Sequence, residues 1–274
     1  MYICPICKKN LKISKNTFQC KNGHSFDISK SGYVNLLTTK GRNPKLAGDN
    51  SQMVKARSEF LDKGYYLPLA KRASEIICDL MKGNSKPVVI DSGCGEGYYT
   101  AKYASALKNA DVYGIDISKN AVDHGVKRCK SENISNANFA VASSFELPFR
   151  ELFADLIICT FAPVSNDEYA RVLKKGGDLV IISPASRHLF GLKQVLYDEP
   201  YENKPNVYGL RKFAFVKQYE VAYNVELASN DDITNLLTMT PYYYKTSQEA
   251  KQKLEKMNKL NTECEFYIDI YRKK

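Results

Sequence analysis

Asp91-Ser92-Gly93-Cys94-Gly95-Glu96-Gly97 follows the apolar run Val88-Val89-Ile90 and leads into a helical pattern that begins near Tyr99. Glycines at alternate positions let a backbone turn sharply and approach a ligand with no Cβ in the way. The spacing is G-x-G-x-G. It differs from the G-x-G-x-x-G that cradles a dinucleotide pyrophosphate at a helix N-terminus, so a nicotinamide enzyme fails on this loop.

Working outward, Val112-Tyr113-Gly114-Ile115-Asp116 reads as a second strand, and its acid stands 25 residues after Asp91. An acid there can accept both hydroxyls of a ribose and disfavours a 2′-phosphate. It can also cap the following helix, a task that Ser118 is able to take over. S-adenosyl-L-methionine (SAM) has a ribose and no pyrophosphate, and the loop need only pass close to its methionine part. Further strands are expected at Phe139 to Ala142, Leu156 to Thr160 and Leu179 to Ile182, with helices near 119–130 and 166–174, the latter ending at Gly176-Gly177. Short apolar strands alternating with helices predict a parallel sheet covered on both faces. The last third reads as a strand from Phe213 to Leu227, a helix, a lysine-rich helix over 247–260 and a strand from Glu265 to Tyr271. The fold class is α/β: a Rossmann-like, seven-stranded class I SAM-dependent methyltransferase sheet with an antiparallel edge.

The N-terminus carries a separate signal. Cys4, Cys7, Cys20 and His24 form C-x2-C-x12-C-x3-H, two close pairs joined by a hairpin with short strands at Tyr2-Ile3 and Thr17 to Gln19. Three thiolates and one imidazole close a tetrahedral zinc shell and leave no position for a reactive water, so the metal is structural. A segment this short has little core of its own, and metal binding supplies its folding energy. Cys78, Cys94, Cys129, Cys159 and Cys264 are scattered through apolar segments and read as reduced core residues. Thr38 to Lys45 has the composition of a linker, and Asp49 or Ser51 caps a helix bearing Met53, Ala56, Phe60 and Leu61 that Gly64 ends. The expected organisation is a zinc-ribbon RNA-recognition module over 1–37, a linker and helix over 38–68, and the methyltransferase domain over 69–274.

Net charge is +10, and its distribution is uneven. Residues 1–60 hold 11 Lys/Arg against 3 Asp/Glu, residues 61–240 hold 21 against 22, and residues 241–274 hold 8 against 5. Basicity at both ends of a neutral middle points to a polyanionic partner such as RNA. No apolar run reaches the roughly 18 residues of a membrane span. The opening Met1-Tyr2-Ile3-Cys4-Pro5 shows no apolar signal region, and a cytoplasmic location is expected.

The residues also carry a family likeness. Besides the four metal ligands and the glycine loop, the marks are Gly32-Tyr33-Val34-Asn35-Leu36-Leu37, Gly48-Asp49 before Ala56-Arg57, Phe60-Leu61-Asp62, Leu147-Pro148-Phe149, Arg187-His188-Leu189 and Met239-Thr240-Pro241. With these the chain resembles, over essentially its whole length, the large-subunit (23S) ribosomal RNA guanine-N1-methyltransferases, a group that includes macrolide-resistance methyltransferases. The resemblance implies SAM as donor, N1 of a guanine in a 23S rRNA hairpin loop as acceptor, a structural zinc and a homodimer. Read with the loop, it gives Tyr66, Asp91, Gly93, Gly95, Glu96, Gly97, Asp116 and His188 as the expected cofactor-binding set. It assigns no catalytic base. Thr160-Phe161-Ala162-Pro163 departs from the family's tyrosine-containing form, which leaves Phe161, with Tyr66, to stack on a splayed-out base. Tyr242-Tyr243-Tyr244 is a second aromatic candidate, and Lys251, Lys253, Lys256 and Lys259 give a partly basic helix face. Two alternatives stay open: a small-molecule methyltransferase of the same fold, and a non-catalytic RNA-binding or assembly factor.

Overall fold

The computed structural model describes residues 2–38 and 49–274; Met1 and most of the expected linker, Thr39 to Lys45, lie outside the described residues. The first three strands, β1 (Leu11–Ser14), β2 (Thr17–Cys20) and β3 (Ser25–Asp27), form an antiparallel sheet of their own. The main sheet contains β4 (Val34–Asn35), β5 (Val88–Ser92), β6 (Asp111–Asp116), β7 (Ala137–Val141), β8 (Ala154–Thr160), β9 (Leu173–Pro184), β10 (Phe213–Leu227) and β11 (Leu260–Lys273). Its order is β10-β11-β9-β8-β5-β6-β7-β4, parallel from β9 to β4, with β11 antiparallel to both neighbours.

The chain builds outward from β5 to β7 and then returns to place β8 on the other side of β5. That reversal opens a crevice at the C-terminal ends of β5 and β8, where ligands bind in open α/β sheets. Alternate strand residues face opposite sides. Val89, Leu156, Ile158, Val180 and Ile182 meet the side covered by α1 (Ser51–Asp62), α2 (Leu67–Leu80), α3 (Tyr98–Ala106) and α7 (Asn230–Thr238). Ile90, Ile157, Leu179 and Ile181 meet the side covered by α5 (Asn166–Val172) and by the N-terminal sheet. The N-terminal sheet is anchored there by Tyr2, whose ring lies 5.4 Å from Phe149, 5.5 Å from Phe18 and 5.7 Å from Tyr113. Ile3 N–H donates to Pro148 O at 2.8 Å. Burial of an aromatic body of this size stabilises by about 2 kcal/mol.

Several expectations are corrected. Among the described residues the sheet has eight strands, because Val34 and Asn35 pair in parallel with Ala140 and Val141. Asn50 caps α1, its side chain accepting from Met53 N–H at 2.9 Å, in place of Asp49 or Ser51. The helix expected to end at Gly176-Gly177 stops at Val172, since buried Leu173 already opens β9, extended and paired with Ala154 of β8. The lysine-rich helix is only α8 (Gln248–Glu255). Leu260 is drawn into β11 opposite Leu227, so Lys256 and Lys259 leave the helix and the four lysines share no helical face. The remaining helices are α4 (Lys119–Ser131) and α6 (Phe190–Leu196). The thiols of Cys94, Cys129, Cys159 and Cys264 are buried, and that of Cys78 is half-buried. No helix among the described residues is long and apolar enough to cross a membrane.

Candidate functional site

The crevice is a cleft of about 980 Å³, within the range of small-molecule sites. Tyr66, Asp91, Gly93, Gly95, Glu96, Asp116 and His188 all line it. Gly97 does not: its Cα packs on Gly125 of α4, and a Cβ there would lie 2.6 Å from Gly125 Cα. With φ of +77°, Gly97 opens α3 in a conformation that side chains resist, and it lets two helices meet.

Asp116 ends β6 with both oxygens engaged, accepting from Gly95 N–H at 2.9 Å and Ser118 N–H at 2.8 Å. Ser118 caps α4 itself, so Asp116 is free of that task. Burial raises the Asp116 carboxyl above its ordinary range, although the two N–H groups favour its charge. Asp91 lies deeper. One oxygen accepts from Thr100 Oγ1 at 2.6 Å, and the other is buried with no partner among the described residues. Burial pushes this carboxyl up to about 7, with Thr100 opposing and Asp116 and Glu96 adding to the rise. Glu96 is also buried and raised, with Arg57 opposing the rise.

Also lining the cleft, His188 has its Nε2 3.4 Å from Tyr66 Oη, and its ring lies 4.6 Å from that of Phe266. Its Nδ1 is buried with no partner among the described residues, as is the Tyr99 hydroxyl. Burial and the Lys193 ammonium push His188 down to about 3, so its imidazole is neutral at pH 7. These orphaned polar atoms around one cleft are what a polar ligand leaves behind, because buried groups are costly when unsatisfied. Four carboxylates (Asp49, Asp91, Glu96, Asp116) line the cleft against one guanidinium, which suits a ligand carrying positive charge. The residues present therefore fit SAM, whose sulfonium and ammonium are both cationic.

Phe161 follows β8 with φ of 54°, a left-handed conformation that costs a bulky residue about 1 kcal/mol or more. Its ring is 43% exposed at the cleft, 6.4 Å from Tyr66, 6.2 Å from Tyr99 and 5.6 Å from Phe266. Tyr242 to Tyr244 form a 3-10 turn at the rim; Tyr242 and Tyr243 are half-buried and Tyr244 is exposed. Sequence reasoning gave Asp49, Arg57 and Tyr99 no place in this wall, although they stand in or beside quoted motifs, and it missed Asn206 and Tyr208, which no motif marks. It also missed Lys193, fully buried, which donates to Tyr201 O at 3.0 Å and Asn203 Oδ1 at 2.6 Å.

The metal-ligand atoms of Cys4, Cys7, Cys20 and His24 lie within 4.8 Å of one another. Cys4 Sγ and Cys20 Sγ are 3.5 Å and 3.4 Å from His24 Nδ1, and Cys7 Sγ is 3.6 Å from Cys20 Sγ. Ligands at about 2.0–2.3 Å from a tetrahedral zinc stand roughly 3.3–3.8 Å apart. The donor set fits structural zinc, with His24 offering Nδ1.

Comparison with known proteins agrees with both parts. Residues 2–45 match a zinc-ribbon family described as RlmA, N-terminal, and residues 84–262 match a methyltransferase domain family. A Streptomyces fradiae protein named 23S rRNA (guanine(748)-N(1))-methyltransferase is 36% identical over 194 residues, 70% of this chain and 66% of that one. A Bacillus subtilis (strain 168) protein, provisionally named a 23S rRNA (guanine-N(1)-)-methyltransferase, is 30% identical over 268 residues, 94% of this chain and 92% of its own. The crystal structure of the YcgJ protein from Bacillus subtilis matches 74% of this chain and 99% of its own, with a TM-score of 0.50 at 14% identity, which speaks for the fold alone.

Proposed function

The chain belongs to the 23S rRNA (guanine-N(1)-)-methyltransferase family of SAM-dependent enzymes, and from that premise we propose that it methylates N1 of one guanine in a hairpin loop of 23S rRNA. The observation that carries this reading is the joining of two parts in one body. A zinc ribbon packs on the sheet through Tyr2 and adds β4 to it, while the same sheet ends in an acid-lined cleft. A small-molecule enzyme has use for the cleft alone. We retain the functional division into a ribbon module over 1–37, a connecting segment over 38–68 and a catalytic domain over 69–274, with Arg57 of the connecting segment reaching the cleft.

Bound SAM supplies a methyl group already activated by its sulfonium, so the protein's work is chiefly alignment. Asp116 holds the ribose hydroxyls, and Asp91, Gly93, Gly95 and Glu96 surround the methionine end. Tyr66 and His188 line the same cleft. A guanine inside a stem is unreachable, whereas a loop guanine can be splayed out against Phe161 and Tyr66. N1 would bond the methyl carbon as the carbon–sulfur bond breaks and S-adenosyl-L-homocysteine leaves, with the N1 proton passing to water. We place the enzyme in the cytoplasm, as a homodimer.

The test is transfer of labelled methyl from SAM to a 23S rRNA transcript, followed by digestion to nucleosides. Label in 1-methylguanosine is expected. Label in a quinone-type acceptor with none in RNA would favour the small-molecule reading, and SAM binding without any transfer would favour the assembly factor.

A further inference from the structure

Among the described residues that line the cleft, Arg57 is the only lysine or arginine. It projects from α1 to the glycine loop, where a Cβ on Gly95 would stand 3.6 Å from its Nη1. Nη1 pairs with the Asp49 carboxylate, and Nη2 donates to Met239 O at 3.3 Å. The rest of its five-donor fork has no protein partner among the described residues. Burial works against its charge, and Asp49, Glu96 and Asp116 more than offset that.

SAM brings one anionic group, the α-carboxylate of its methionyl end, into a cleft that already holds four carboxylates. That group is repelled unless a cation receives it. His188 has a nitrogen with no partner among the described residues, but its imidazole is neutral at pH 7 and packs against Phe266, so it offers no positive charge. Resting on the SAM reading of the cleft, we propose that Arg57 is the carboxylate-recognition residue, its guanidinium exchanging or sharing Asp49 for the cofactor's α-carboxylate. A planar fork pairs with a carboxylate in two parallel hydrogen bonds, and Asp49 already demonstrates that the fork accepts this chemistry here. Arg57 therefore sets specificity among sulfonium nucleosides, favouring those that keep the carboxylate.

The experiment is calorimetric titration of the full-length, zinc-loaded chain with SAM and with decarboxylated SAM, which differs only by the missing carboxylate. The wild-type protein is expected to favour SAM on the order of 10- to 100-fold, the range of a hydrogen-bonded charge pair. Arg57→Met brings the ratio to one or below, because the unneutralised acids then favour the more cationic ligand. His188→Ala keeps the wild-type ratio. Asp49→Asn, which removes the competing carboxylate, tightens SAM without tightening the decarboxylated ligand. A wild-type ratio near one, or an Arg57→Met ratio equal to wild type, overturns the proposal, as does a collapse confined to His188→Ala. Should Arg57→Met not fold, the Asp49→Asn pair of titrations decides in the same way. Wild-type protein that binds neither ligand contradicts the SAM reading itself, a separate failure.

Discussion

Replacing Gly97 with alanine separates packing from ligand contact in the glycine loop. Two costs add. A Cβ at φ of +77° carries the left-handed penalty of about 1–2 kcal/mol. The same Cβ would lie 2.6 Å from Gly125 Cα and 3.4 Å from Phe139 Cε1, and overpacking of this kind costs roughly 1–3 kcal/mol. Gly83 provides the control, since its φ is +88° and a Cβ there meets nothing within 4 Å. Gly83→Ala should lose only the first cost. At about 2–4 °C per kcal/mol for a domain of this size, Gly83→Ala melts a few degrees below wild type and Gly97→Ala on the order of 10 °C below. The assay is thermal unfolding followed by circular dichroism on the zinc-loaded protein. Well below the melt, Gly97→Ala should bind SAM within a few-fold of wild type, because position 97 does not line the cleft. Equal melting losses for the two variants would refute the close approach of α3 and α4. Full stability with lost SAM affinity would return Gly97 to the ligand-contacting set.

Three further outcomes follow from the same geometry. Cys4→Ser should abolish stoichiometric zinc by elemental analysis and lower the melting temperature, since the ribbon that covers Phe149 and Tyr113 then loses its fold. Asp91 is raised from 3.8 to about 7 in the folded protein, so its contribution to stability is present below pH 4 and is lost as pH rises through 7, by up to about 4 kcal/mol. Asp91→Asn should flatten that part of the stability–pH curve in denaturant melts, and a slope unchanged from wild type would remove Asp91 as its cause. His188→Ala should raise KM for SAM more than it lowers kcat in the methyl-transfer assay, because a neutral imidazole with its conjugate acid near 3 is a poor proton acceptor. A collapse of kcat at saturating SAM would instead make it an essential base.

Much of this architecture is written locally. The run Val88 to Gly97 announces strand, turn and helix through apolar continuity followed by glycines, and Asp116 is marked by its place at the end of the next strand. The cysteine spacing declares a metal because few other arrangements need it. What stayed hidden depends on distant pairings. Val34-Asn35 is too short to read as a strand and becomes one only against Ala140-Val141. Leu173 looks like the continuation of a helix until Ala154 captures it. Arg57 is legible as part of the Ala56-Arg57 mark but not as a cleft residue; the docking of α1 on α7 and α4 brings it to the glycine loop. Lys193 carries no sequence mark, and a carbonyl, an amide oxygen and the rings of Tyr201 and Tyr242 allow it to be buried.

Primer extension on 23S rRNA from cells with and without this protein tests the central claim most directly. Methylation at N1 removes a Watson–Crick donor and halts reverse transcriptase. A single additional stop at one loop guanine, present with the protein and lost with Asp116→Ala, is the predicted result. Identical stop patterns in both RNA preparations, from cells in which the protein is folded and zinc-loaded, would contradict it.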